Sequence, residues 1–489
     1  MDTGSDQSVP VLKSAFRNLE SRYAVDPKLD RLAVVGLNGV TATDPLAAVR
    51  RAGDRILVSY GDVDIGEWTA AEPHDHDGWA LLVDGALNRL RDVSHSLRET
   101  GKERVLEMFF DSGLAELDRY TRYATPDQAR NTRARREGFG GIGITIRYED
   151  GHTWVSTVYP ETPASKAGLL PGDEITHVSS TSLSGLPQRD VIDRLRGPVH
   201  SHAELTLKRP AEDKPIKVDI VRAHIMPPTV TSRRDGPILY IAITGFNQGT
   251  SRALGQVLAE AERVETDVPG GIVLDLRANP GGLLDQAVAV ADFFLNDGRI
   301  ISTQGRHKRS NQIFDASWGE RMRDIPMVLL VNGRSASASE IVAAALRDRF
   351  RAVVVGSSSF GKGTVQTIVR LPNNGELTMT WAHLIAPSGF NLHTHGVIPA
   401  ICTSASESDL SEMKHAVQAP GPVPGGVFDR LLSSRLAVRK DPDQARRNCP
   451  PNLAQPDDDL EVAKFLLSRP KLYARALSDG QAAIAERPE

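Results

Sequence analysis

The sequence predicts a multi-domain α/β protein: a mostly parallel-sheet α/β core behind a compact β-rich module, with a mixed N-terminal region and a helical C-terminal tail. Three observations predict it. The chain has 489 residues, and roughly 150 residues per domain makes that about three domains. From 237 to 400, strand-length apolar runs at 271–276, 326–331 and 352–355 alternate with helical segments at 283–295 and 339–349, the pattern of βαβ units. From 138 to 222 the texture changes to short β-rich runs at 142–148, 154–158, 174–178, 203–208 and 216–221.

Residues 1–136 read as mixed, with helices at 11–23 and 81–97 and a strand at 55–60. The expected divisions are 1–136, 137–222, 223–400 and 401–489. The last holds a Pro- and Gly-rich linker at 419–426 and an amphipathic helix at 459–467. Composition is ordinary for a globular chain, 40% hydrophobic and 25% charged. Lys and Arg total 58 against 62 Asp and Glu, a net charge of −4. The basic excess that phosphate-backbone binding needs is missing, so nucleic acid is not an expected partner. Apolar runs stop after about six residues, well short of the ~20 that span a bilayer. Residues 1–9 carry Asp2 and Asp6 and show no secretory leader, so the protein is cytoplasmic or its leader has been removed. Cys402 and Cys449 can form at most one disulfide, closing a loop of about 48 residues if the compartment is oxidising. His74 and His76 around Asp75 form a polar turn without a third ligand, and no metal or cofactor is expected.

Two stretches sharpen the β-rich module. Gly138-Phe139-Gly140-Gly141-Ile142-Gly143 is a glycine-rich entry, and Thr162-Pro163-Ala164-Ser165-Lys166-Ala167-Gly168-Leu169-Leu170-Pro171-Gly172-Asp173 follows. In this order they resemble a PDZ domain. That resemblance implies that the Phe139 to Gly143 loop (Phe139, Gly140, Gly141, Ile142, Gly143) turns backbone N–H groups toward a peptide's terminal carboxylate while a strand edge pairs with the peptide.

Three segments sit at strand exits of the core, where α/β folds place their sites. They are Arg277-Ala278-Asn279-Pro280-Gly281-Gly282, Ser335-Ala336-Ser337-Ala338-Ser339-Glu340 and Phe360-Gly361-Lys362-Gly363-Thr364-Val365-Gln366. The last completes a near-phosphate-loop from Gly356, but Gly363 stands where a Ser or Thr would hold magnesium, and a β-branched run follows instead of a helix. Ser337 and Glu340 have capping-box spacing, which explains them structurally. A serine at a helix start beside free N–H groups is equally placed as a nucleophile facing an oxyanion. Such a serine needs a base. No histidine is tied to it by sequence, although one elsewhere would serve; Lys362 is the other candidate, since burial brings a lysine toward neutrality. Gln366, an even number of residues further on, would share its face of an extended strand and orient the amine.

Together these segments, downstream of the PDZ-like module, resemble the carboxyl-terminal processing (tail-specific) proteases across roughly 108–400. Leu117-Asp118-Arg119-Tyr120-Thr121-Arg122-Tyr123 is similar to that family's Leu-Asp-Pro-His-Ser-x-Tyr, with departures at Arg119 and Tyr120 expected to touch only a structural segment. The resemblance implies a ClpP/crotonase-like core and a serine endopeptidase that cuts proteins near their C-termini. Ser337 would be nucleophile, Lys362 general base and Gln366 its positioning partner, with the amides of Ala338 and Gly281 as oxyanion donors. It implies partners with free C-termini, an adaptor or homo-oligomer, and a periplasmic location with the leader removed. The rival is a PDZ scaffold on an inactive protease fold, disfavoured by the intact Ser337, Lys362 and Gln366.

Overall fold

The computed structural model describes residues 8–210, 212–263, 268–317, 319–404, 438 and 440–478. The linker expected at 419–426 and residues 1–7 lie outside them.

Helices Ser8–Arg22, Leu29–Thr41, His76–Val93 and Lys102–Ala115 pack their apolar faces around Phe16, Trp79, Phe109 and Phe110, all fully buried. Antiparallel strands Ala47–Ala52, Arg55–Tyr60 and Val63–Thr69 form a sheet that adds Val49, Ile56 and Val58 to this core. The helix expected at 81–97 is two helices. His76–Val93 stops at Ser94, whose hydroxyl accepts Leu97 N–H at 3.1 Å and caps His95–Glu99. The polar segment around His74 and His76 is a helix start, with Asp75 accepting Gly78 N–H at 2.9 Å. Among the described residues no cluster of His, Cys, Asp and Glu is arranged to hold a metal ion.

The β-rich module is one sheet of Ile216–Val221, His202–Lys208, Glu174–Val178, His152–Val158 and Ile144–Glu149 in spatial order, leaving Ile144–Glu149 at an edge. Helices Pro163–Lys166 and Gln188–Leu195 close its core of Ile142, Val155, Ile175, Val191 and Leu205. Its entry, Phe139–Gly141, pairs antiparallel with its exit, Ala223–Ile225, so the chain enters and leaves side by side.

Beyond it lies a six-stranded sheet, Val230–Asp235, Ile238–Ile243, Gly271–Asp275, Met327–Val331, Val353–Gly356 and Ile401–Cys402 in order. The first pair is antiparallel and the remaining pairings are parallel. The inner strands, Ile238–Ile243, Gly271–Asp275, Met327–Val331 and Val353–Gly356, are buried on both faces, which is why they read as continuous apolar runs, whereas the edge strand Val230–Asp235 is largely exposed and polar. Leu239, Ile241 and Ile243 face helices Thr250–Arg263, Leu284–Asp292 and Ala338–Asp348, while Ile238 and Tyr240 face Asp457–Leu467 and Pro470–Ser478. A second, antiparallel sheet orders Gln312–Asp315, Arg299–Gln304, Glu376–Ile385 and Thr364–Arg370. Arg122–Ala124 pairs with Glu376–Ile385 and ties the N-terminal helices to this sheet. Among the described residues no helix is long and apolar enough to cross a membrane.

Candidate active site

Three loops leave the C-terminal ends of Gly271–Asp275, Met327–Val331 and Val353–Gly356, and buried polar groups draw them together. Ser335 Oγ donates to Leu276 O at 2.8 Å and Ser339 Oγ to Asn279 O at 2.9 Å. Asn332 Oδ1 accepts Ala278 N–H at 2.9 Å, and Phe360 N–H reaches Ser335 O at 2.9 Å. The three serines of this run are therefore inequivalent. Ser335 and Ser339 are fully buried with their hydroxyls engaged, whereas Ser337 is partly exposed and opens on a cavity of about 600 Å³.

Ser337 sits at φ 55°, ψ −112°, a conformation an L-residue adopts only under constraint. Glu340 supplies that constraint. Its carboxylate, fully buried, accepts Ser337 N–H at 2.6 Å, Gly361 N–H at 2.7 Å, Lys362 N–H at 2.9 Å and the Ser359 hydroxyl. Burial pushes the Glu340 carboxyl up, while these four hydrogen bonds favour its charged form. One side chain thus joins the start of Ala338–Asp348 to the loop carrying Lys362.

Lys362 lines the same cavity, its Nζ 5.0 Å from the Tyr120 ring centroid. No hydrogen bond or ion pair among the described residues engages that Nζ. Burial first, and then repulsion from Arg122, bring its pKa down from 10.5 to about 8, against the opposing attraction of Glu340 and Asp118. Arg122 lines the cavity too. Of the departures at Arg119 and Tyr120, expected to affect only a structural segment, Tyr120 therefore lies against the lysine, and Arg119 stacks on the rings of Tyr120 and Phe360 at 4.8 and 5.2 Å.

Gln366 borders the cavity but does not bond to Lys362; its Nε2 donates to Thr364 Oγ1 at 2.8 Å. Both residues border the cavity, but the strand alternation expected to align them is interrupted. The strand starts at Thr364, after the lysine, and its register shifts between Val365 and Gln366, which breaks the two-residue alternation. Gly281, at φ 101°, presses on the serine: a Cβ there would lie 2.7 Å from Ala336 O and 2.9 Å from Ser337 Cβ. Its N–H, however, donates to Asn279 Oδ1 at 2.9 Å. The N–H of Ala338, at the first position of its helix, and that of Gly282 have no acceptor among the described residues.

A second cavity, of about 280 Å³, lies between the edge strand Ile144–Glu149 and helix Gln188–Leu195 of the β-rich module. Phe139, Gly141, Ile142 and Gly143 line it. Gly140 does not; its carbonyl accepts Gly197 N–H at 3.1 Å. Arg135 and Pro227 line both cavities, which are therefore adjacent. Sequence reasoning missed Arg122, Tyr120 and Asn279, and saw Glu340 only as a cap. Tyr120 was signalled by its departure from the family pattern; nothing in the sequence pointed to Arg122.

The pattern of peptidase family S41 matches residues 237–403 and that of a PDZ domain 154–209. A carboxy-terminal-processing protease of Bartonella bacilliformis is 40% identical over 301 residues, covering 61% of this chain and 69% of that protein. The chain belongs to the carboxy-terminal-processing protease family. Its members are serine-type peptidases, and the chain is a multi-domain α/β protein with a PDZ domain and an S41 protease domain. A "probable CtpA-like serine protease" of Staphylococcus aureus is 31% identical over 323 residues, 64% of each chain, so this protein spans 64% of that relative's length. Among solved structures, the photosystem II D1 C-terminal processing protease is similar at 23% identity and a TM-score of 0.41, covering 81% of this chain and 92% of that one.

Proposed function

We propose that the protein is an endopeptidase that cuts protein substrates near their C-termini with a Ser337–Lys362 pair. The observation that carries it is the inequivalence of the serines: of three in one run, only Ser337 opens on the cavity that also holds a partly neutral lysine. In the proposed reaction neutral Lys362 takes the Ser337 proton as Oγ attacks the scissile carbonyl. The resulting ammonium then gives that proton to the leaving amine, and water repeats the sequence to release the acyl group. The N–H of Ala338, with one from the Gly281–Gly282 turn, would hold the oxyanion, each donor contributing roughly 3 to 4 kcal/mol. Gly281 would need to share its hydrogen between Asn279 and substrate. Gln366, whose amide oxygen is unengaged among the described residues, is proposed to receive the lysine ammonium.

Within the same reading, the Phe139 to Gly143 loop and the exposed strand edge capture the substrate tail, and the shared wall at Arg135 passes the chain to Ser337. The divisions 1–136, 137–222, 223–400 and 401–489 and a ClpP/crotonase-like core belong to it. So do a periplasmic location, which the Cys402–Cys449 disulfide supports, and an adaptor or a second copy as partner. The test is cleavage of an unfolded protein by four variants. Ser337→Ala and Lys362→Ala should lose nearly all activity, because members of a catalytic unit fail together. Ser335→Ala and Ser339→Ala should retain far more. Activity surviving in Ser337→Ala would reject the nucleophile. A wild-type protein that binds tails but never cuts them would support the inactive scaffold instead.

A further inference from the structure

Lys362 makes no side-chain hydrogen bond among the described residues, so the position of its amine rests on the backbone that carries it. That backbone is gripped from two sides. Its amides, at Gly361 and Lys362, go to the buried Glu340 carboxylate at 2.7 and 2.9 Å. Its carbonyls go to a cation from far along the chain: Arg446 Nη1 donates to Ser359 O at 2.8 Å and Nη2 to Phe360 O at 3.3 Å, while Nη1 also reaches His395 O at 2.5 Å on a neighbouring segment.

Arg446 belongs to helix Pro442–Asn448, which ends at Cys449, and Cys449 is bonded to Cys402 at the end of the last parallel strand. From there the chain runs as a strap over all three catalytic loops. Ser358 Oγ donates to Cys449 O at 2.6 Å, Gly333 N–H to Asn452 O at 2.7 Å, and Arg277 Nη1 to Pro456 O at 2.6 Å. The strap therefore touches the loop of the lysine, the loop before the serine and the loop before the glycine turn.

We propose that Arg446, carried on this disulfide-anchored C-terminal strap, is a positioning residue for Lys362, acting through the Ser359 and Phe360 carbonyls. The inference rests on the Ser337–Lys362 reading of the cavity. A guanidinium suits the task because its planar fork reaches several carbonyls at once, and its charge offsets the buried Glu340 carboxylate on the other side of the same turn. Losing it frees the turn to shift, and a misplacement of about 1 Å at a reacting group costs up to about a hundredfold in rate. The effect falls on the chemical step, because Arg446 lines neither cavity and touches no substrate surface.

The test is steady-state cleavage of a tailed peptide by full-length Arg446→Ala, Arg446→Lys and Cys402→Ser/Cys449→Ser, each checked for folding by its thermal transition. Arg446→Ala should lower kcat at least tenfold with KM within about twofold, and millimolar guanidinium should restore part of the loss. Arg446→Lys should fall between. The double cysteine variant should also lower kcat, and combining it with Arg446→Ala should add little, since both act through one turn. Wild-type kcat in folded Arg446→Lys and in the folded cysteine variant, or a loss in Arg446→Ala carried by KM, would overturn the proposal. If Arg446→Ala does not fold, the lysine and cysteine variants decide by the same criteria. Failure of the underlying site is seen separately, as activity persisting in Ser337→Ala or Lys362→Ala.

Discussion

Reversing the charge at Arg122 should move the pH dependence of cleavage upward. In the proposed reaction Lys362 serves as a base only when neutral, and its pKa is held at about 8 rather than 10.5. At pH 8 that raises the neutral fraction from about 0.3% to about a half, roughly 150-fold. Burial is the larger cause and Arg122 the second. Arg122 is exposed, so water screens it, and replacing its positive charge with a negative one should raise the lysine by on the order of one pH unit. In Arg122→Glu the acid limb of kcat/KM should therefore move from near pH 8 to near pH 9. Activity at pH 8 should fall roughly fivefold and recover as the pH rises. Arg122→Gln should move the limb about half as far. The assay is cleavage of a fluorogenic peptide across pH 6 to 10, where kcat/KM reports the free enzyme. A uniform loss with the limb unmoved, or a limb shifted downward, would refute the electrostatic role of Arg122 and the use of Lys362 as base.

Lys362→Met should make the protein more stable at neutral pH. Between about 8 and 10.5 the unfolded chain binds the proton that the folded one has lost, so the cost of this lysine is full below pH 8 and disappears as pH rises past the unfolded value. Thermal unfolding should show the variant ahead by at most about 3 kcal/mol at pH 7, with the gap closing toward pH 10.5; an equal gap at both would contradict the buried, partly neutral lysine. Amidating a substrate's C-terminus removes the anion that the Phe139 to Gly143 loop is proposed to hold, at ~1.5 to 3 kcal/mol per charge-assisted hydrogen bond. Cleavage should drop at least tenfold, and equal cleavage of acid and amide would place tail recognition elsewhere.

The parallel strands were legible because burial on both faces makes them unbroken apolar runs, as in Gly271–Asp275 and Met327–Val331. The antiparallel strands of the second sheet were not. Gln312–Asp315 and Arg299–Gln304 mix charged and apolar residues in short stretches, and their sheet forms only when distant segments meet. The N-terminal helices were half legible, since Leu29–Thr41 holds two glycines and an asparagine that dilute its pattern. At the site, motif spacing brought Ser337, Lys362 and Gln366 to one cavity, but hydrogen-bond detail lay beyond it. A register shift in a strand cannot be read from residue types, and it interrupts the two-residue alternation just before Gln366. Nor does sequence show that Asn279 occupies the Gly281 amide, or that Arg446 reaches back to Ser359 across the chain.

Labelling of the folded protein with a fluorophosphonate, followed by peptide mapping by mass spectrometry, reads out which oxygen is activated and by what. One adduct per chain should form on Ser337, with a rate that rises with pH through about 8, and Lys362→Ala should abolish it while Ser335→Ala and Ser339→Ala keep it. An adduct on another residue, or labelling of Ser337 that is undiminished in Lys362→Ala, would contradict a Ser337 nucleophile activated by Lys362.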